Sequence, residues 1–165
     1  MIALWRLSNA QDLQPRALPA GRWHEAGAPV AVLDASPAAA VFARLALAEV
    51  AHPSALPRHY RLLEVQVPGR AVRVADLPLH WQTDLHATRA AGGAWLAGGD
   101  TLLLRVPTAM GGVQYLMNTA HPQMGQCRVV SSVAYPYTPH LGGVVRAVRD
   151  GAAWLAAACE GATAD

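Results

Sequence analysis

Arg22, Trp23 and His24 stand side by side at the head of the stretch GRWHEAGAPVAVLDASPAAAVFARLALAE, residues 21–49. A planar cation next to an aromatic ring, a glycine at 27, a short apolar run and a fresh helix start at Ser36 make a layout suited to holding an anion. The guanidinium presents a bidentate fork to phosphate or carboxylate, and the helix start presents free backbone N–H groups. The remaining polar residues say less when taken singly. His24, His52 and His121 lie at no metal-ligand spacing, so no metal centre is expected. Asn118 with His121 suits a turn.

Periodicity predicts the elements that position these residues. Ile2 to Leu7 is a short apolar strand, and Ser8 to Ala20, with Pro15 and Pro19, is a loop or short irregular helix. Pro29 to Leu33 reads as a brief buried strand. Asp34 or Ser36 caps the helix that follows, with Pro37 at its first position and Val41, Leu45 and Ala48 facing the core, to an end near His52-Pro53. Tyr60 to Val67 is the clearest strand: Leu63, Val65 and Val67 share one face, Glu64 and Gln66 the other. After a turn at Pro68-Gly69, Ala71 to Val74 is a further strand. Thr83 to Ala91 reads as a helix stopped by Gly92-Gly93, with a second break at Gly98-Gly99. Thr101 to Val106 is an apolar strand closed by Pro107, and Cys127 to Ala134 is the last strand. From Gly142 the chain is Ala-rich, and Val144, Val148, Trp154 and Leu155 form a stripe that either docks on the domain or meets a partner or a second copy. The expectation is one α/β (α+β) domain with a mixed, strongly twisted sheet: residues 1–141 form its body and 142–165 a C-terminal helix or tail.

Composition narrows the classes. With 165 residues, 53% of them hydrophobic and 15% charged, the chain can bury a core and is not disordered. A net charge of +2, with the 13 basic residues all Arg and scattered, is too small to advertise a nucleic-acid surface, and no direct nucleic-acid binding is expected. Every long apolar run is interrupted before the roughly 18 residues of a membrane helix, and MIALWRLS is not a secretory signal. Cys127 and Cys159 read as reduced structural thiols, and a soluble cytoplasmic protein is expected.

Seven short motifs follow one another in register: Leu4-Trp5-Arg6, the segment from Gly21 to Val30, the Ser36-Pro37-Ala38 helix start, Leu77-Pro78-Leu79-His80-Trp81, a Thr- and Gly-rich turn before Trp95-Leu96, LRVPTA from Leu104 to Ala109, and QYLMNTAHPQ from Gln114 to Gln123. Over nearly its whole length, to about His140, the chain resembles the RES-domain family, named for an Arg, a Glu and a Ser. The resemblance implies a fold like that of ADP-ribosyltransferases and a role as the toxin of a toxin–antitoxin pair. It implies NAD as the molecule consumed, its glycosidic bond broken by water or phosphate, or its ADP-ribose moved to a protein. It also implies a protein partner, an antitoxin with an Xre-type DNA-binding region that plugs the NAD cleft.

Carried across residue by residue, the family's Arg falls on Arg22 and its Ser on Thr108, which keeps a hydroxyl; these are the expected catalytic positions. Arg22, Trp23, His24, Leu33, Ala43 and Thr108 are the expected NAD contacts. The family's Tyr falls on Leu33, its Glu on Ala43 and its His on Leu47. Asp34 and Glu49 are the nearby carboxylates, but Glu49 lies about 240° around the helix from 43. Two readings therefore stand: an active NAD-consuming toxin with a displaced carboxylate, framed by Arg22, Trp23, Thr108 and His121, or a relative that binds NAD or a protein without turnover. A third, an assembly protein using the Ala-rich tail, has only that tail behind it.

Overall fold

The computed structural model describes residues 1–14, 18–47, 59–70, 72–108 and 111–134. The chain enters as strand β1 (Ile2–Ser8), returns as β2 (Val30–Asp34) and passes straight into helix α1 (Pro37–Leu47). Strands β3 (Arg61–Val67) and β4 (Val72–Val74) precede helix α2 (Leu85–Gly98). Strands β5 (Leu103–Pro107) and β6 (Val113–Asn118), a 3-10 turn over Pro122–Gln126 and β7 (Arg128–Ala134) complete it. All seven strands join one sheet in the order β4-β5-β6-β2-β1-β3-β7. Among the described strands only β4–β5 pair in parallel, so this is the mixed sheet of an α+β domain.

Period-two alternation gives the sheet two faces. One carries Leu4, Leu33, Leu63, Val65, Val67 and Met117 in a single apolar cluster. Burying each such side chain fully contributes roughly 1.5–3 kcal/mol. The helices cover the other face with two separate clusters. Ala40 and Val41 of α1 meet Leu7 and Leu62. Trp95 of α2, together with Trp23, meets Leu104, Val106 and Leu116.

Local chemistry explains both helix starts. Ser36 Oγ accepts from the Ala39 N–H at 3.1 Å, so Ser36 caps α1 while Asp34 completes β2. Asp84 Oδ1 accepts from the Ala87 N–H at 2.9 Å at the head of α2. That helix does not stop at Gly92-Gly93, as its glycines predict. It continues to Gly98 and ends at Gly99, whose φ of 64° supplies the left-handed cap. Strand β6 is also absent from the predicted elements. Gln114 just inside its start, Asn118 at its end and the Gly111-Gly112 pair before it mask the alternation of Val113, Tyr115 and Met117. Core placement of Leu45 and Ala48, the helix end at His52-Pro53, Leu47's side chain, Glu49, Cys159 and the tail from Gly142 fall outside what the structure describes. Cys127 is a free, half-buried thiol whose pKa burial pushes up, as suits a structural cysteine.

Candidate functional site

Trp23 fastens the Arg22 segment to the sheet. Its indole N–H donates to the Pro107 carbonyl at 3.2 Å, and its ring, 3% exposed, stacks on Trp81 with centroids 5.9 Å apart. On the other side α2 grips the same segment. Thr88 Oγ1 donates to the Arg22 carbonyl at 2.7 Å, and Arg89 Nε donates to the Gly21 carbonyl at 2.9 Å. Gly92 lies so close that an added Cβ would sit 1.8 Å from the Trp23 carbonyl oxygen. His24 is buried against Gly21, and its Nδ1–H donates to the Glu25 carbonyl at 3.1 Å. Trp23 and His24 thus hold the segment in place, while Arg22 stays half-exposed. One guanidinium nitrogen, Nη1, donates to the Trp81 carbonyl at 3.0 Å, which fixes the orientation of the fork.

Thr108 follows Pro107, the residue that receives the Trp23 indole. Its Oγ1 accepts from the Gly112 N–H at 3.0 Å, closing the β5–β6 turn, where Gly111 takes a φ of +83°. The hydroxyl proton remains for a donor bond of its own. Arg22 and Thr108 are each one residue from the same hydrogen bond, so the structure brings them to one end of the sheet. His121 is at the other end, beyond Asn118, about 17 Å along β6 at an antiparallel strand's rise. Its Nδ1 accepts from the Gln123 N–H at 3.1 Å, capping the 3-10 turn.

A row of in-register partners crosses the helix-covered face at the Thr108 end: Val106, Gln114, Asp34, Trp5 and Glu64, one from each of five strands. Asp34 is 6% exposed, and Gln114 Nε2 donates to its Oδ1 at 3.0 Å. Burial raises the carboxyl above its ordinary 3.8, and the Gln114 hydrogen bond pulls it part of the way back. Leu33, expected as an NAD contact, is not in this row. It pairs with Tyr115 on the opposite face and is 0% exposed, because alternation along β2 turns residues 32 and 34 toward the helices. Ala43 lies half-buried on α1.

Asp34's burial has a stability consequence with a definite sign. A carboxyl raised on folding contributes stability that is complete below the unfolded value of 3.8 and is lost as pH rises through the raised folded value. Asp34→Asn keeps an oxygen to accept from Gln114 and removes the charge. The variant is therefore expected to melt higher than the parent at neutral pH, with the gap closing as pH falls through the raised folded value toward about 4. Thermal unfolding across that range checks it, and a parent protein melting higher at neutral pH would contradict it.

A family model of the RES domain matches residues 3–138. The chain belongs to the RES domain family. The protein Toxin Res of Pseudomonas putida is 35% identical over 133 residues, covering 76% of this chain and 90% of that protein. A solved structure with the same fold is the crystal structure of the M. tuberculosis MbcT-MbcA toxin-antitoxin complex. The match has a TM-score of 0.63 at 22% identity, over 88% of this chain and 89% of that one. In this RES-domain protein the row sets Gln114 and Trp5 on either side of Asp34, with Glu64 one strand beyond Trp5, on the face that ends at the Thr108 turn. Trp5 and Gln114 are already members of the LWR and QYLMNTAHPQ motifs, but only strand register places them beside Asp34. A shallow depression at the β4 edge, lined by Arg73, Asp76 and Trp95, is less suited to a ligand because its Arg73–Asp76 pair, 3.1 Å apart, is solvent-exposed and self-satisfied. Among the described residues no three His, Cys, Asp or Glu side chains converge as a metal would need. No described helix is long and apolar enough to cross a membrane.

Proposed function

We propose that this RES-domain protein is the toxin of a toxin–antitoxin pair and acts on NAD, breaking the bond between ribose and nicotinamide with water, phosphate or a protein side chain as acceptor. One observation carries the reading: the segment of Arg22, whose fork is oriented by the Trp81 carbonyl, is tied through the Trp23 indole to Pro107, the residue before Thr108. Arg22 would clamp the pyrophosphate, and Thr108 would donate to a ribose or phosphate oxygen. Trp23 and His24 support the clamp from within the core. Support for the biology comes from the relative named as a toxin and the neighbour solved as a toxin–antitoxin complex. An antitoxin of Xre type, working in the cytoplasm, completes the proposal. Ala43, where the family carries Glu, favours a second reading in which NAD is bound without turnover.

Nicotinamide release from NAD by the purified protein, followed over hours at high protein concentration, separates the two. Slow release above a no-protein control, with growth arrest when the chain is expressed alone, is the expected result. NAD binding without release establishes the second reading, and neither binding nor release overturns both.

A further inference from the structure

We propose that Asp34 supplies the carboxylate of this site, in place of the acidic side chain that residue 43 lacks. The inference rests on the NAD reading above. Asp34 lies in the gap between the two apolar clusters of the helix-covered face, in the row that ends beside the Thr108 turn. Among the described residues its side-chain partner is a neutral amide, Gln114, and no cation pairs with it. A buried charge without a counter-ion is costly to a fold, and an Asn would satisfy Gln114 equally well. Retaining the charge is explained if something cationic is to meet it.

Position distinguishes Asp34 from the other carboxylate of the row. Strands lie about 4.8 Å apart, so Asp34 on β2 is roughly 10 Å from β5 and Glu64 on β3 roughly 19 Å. A dinucleotide whose pyrophosphate sits on Arg22, beside the end of β5, can bring its nicotinamide ribose to the nearer of the two. There the bond from ribose C1′ to the ring nitrogen breaks, and both its electrons leave with neutral nicotinamide. The positive charge left on the ribose faces the Asp34 carboxylate. With water as acceptor, its oxygen bonds C1′ and one of its protons passes by way of the carboxylate to solvent. The products are ADP-ribose, nicotinamide and that proton.

The test is nicotinamide release, with NAD affinity and the melting temperature measured on the same samples. Asp34→Asn is expected to fold and bind NAD, and to release nicotinamide about 100-fold more slowly or worse, the usual scale for losing a group that stabilises a transition-state charge. Asp34→Ala is the second variant: it leaves room for a small anion, and added formate is expected to restore part of the release. Release within threefold of the parent in Asp34→Asn overturns the inference while leaving the NAD reading intact. A loss in Asp34→Ala that formate does not relieve, in a protein that still binds NAD, also overturns it, because the residue then acts only through structure. A parent protein that releases no nicotinamide at all ends both the turnover reading and this inference.

Discussion

Gly92→Ala is expected to destabilise the protein by about 3 kcal/mol or more, against the usual direction for glycine in a helix. Within α2 the exchange should help, since Ala is favoured over Gly by about 1 kcal/mol in a helix interior. The contact decides otherwise. The new Cβ would sit 1.8 Å from the Trp23 carbonyl oxygen, and that backbone cannot give way cheaply. Thr88 holds the Arg22 carbonyl beside it, and the indole of Trp23 is tied to Pro107. Either α2 lifts off the sheet, uncovering Trp95 and Leu104, or the Trp23 hydrogen bond breaks. Overpacking of this kind costs 1–3 kcal/mol even where the neighbours are side chains. Gly93→Ala is the internal control, because nothing lies within 4 Å of its added Cβ. It should be neutral or stabilising by up to about 1 kcal/mol. Urea unfolding of the pair checks the claim, and equal midpoints for the two variants would refute it.

The same glycine shows where a sequence stops being informative. Capping and alternation are local, so β1, β3, the Ser36 cap and the Gly99 stop follow from their own residues. Leu63, Val65 and Val67, chosen by spacing alone, are all fully buried. Gly92-Gly93 misleads because the reason for Gly92 lies in a loop some seventy residues earlier in the chain. Placement of β4 is likewise non-local: it follows β3 after the Pro68-Gly69 turn yet joins the far edge of the sheet, parallel to β5.

Much of the candidate site was legible for a different reason. Arg22 and Thr108 lie in motifs whose order along the chain carries over, and the Trp23–Pro107 hydrogen bond joins the two segments that carry them. What could not be read is the parity of β2. Its residues Val30, Ala31, Leu33 and Asp34 are all buried, so no hydrophobic alternation says which of them face the helices. A shift of one residue exchanges Leu33 for Asp34. Only pairing with Gln114 and Trp5 decides, and that pairing joins segments from three distant parts of the chain.

Arg22→Ala is expected to weaken NAD or ADP-ribose binding by about 100-fold, while costing little stability. Charge-assisted, bidentate contacts to phosphate are among the stronger hydrogen bonds a side chain makes, each contributing roughly 1.5–3 kcal/mol. The fold, by contrast, uses Arg22 mainly through its backbone. Thr88 holds its carbonyl, which alanine retains, and the half-exposed side chain donates through Nη1 to the Trp81 carbonyl. Arg22→Lys should recover only a small part of the affinity, since an ammonium lacks the planar fork and cannot reproduce two parallel N–H donors. Titration calorimetry with ADP-ribose isolates this effect, because that ligand carries the pyrophosphate without the nicotinamide. Nicotinamide riboside, which has no phosphate, should bind the parent and the Arg22→Ala variant alike. If ADP-ribose affinity is unchanged in a folded Arg22→Ala protein, the pyrophosphate does not rest on this arginine. The anion then lies elsewhere on the sheet end, with the α1 N-terminus beyond Ser36 the next place to probe.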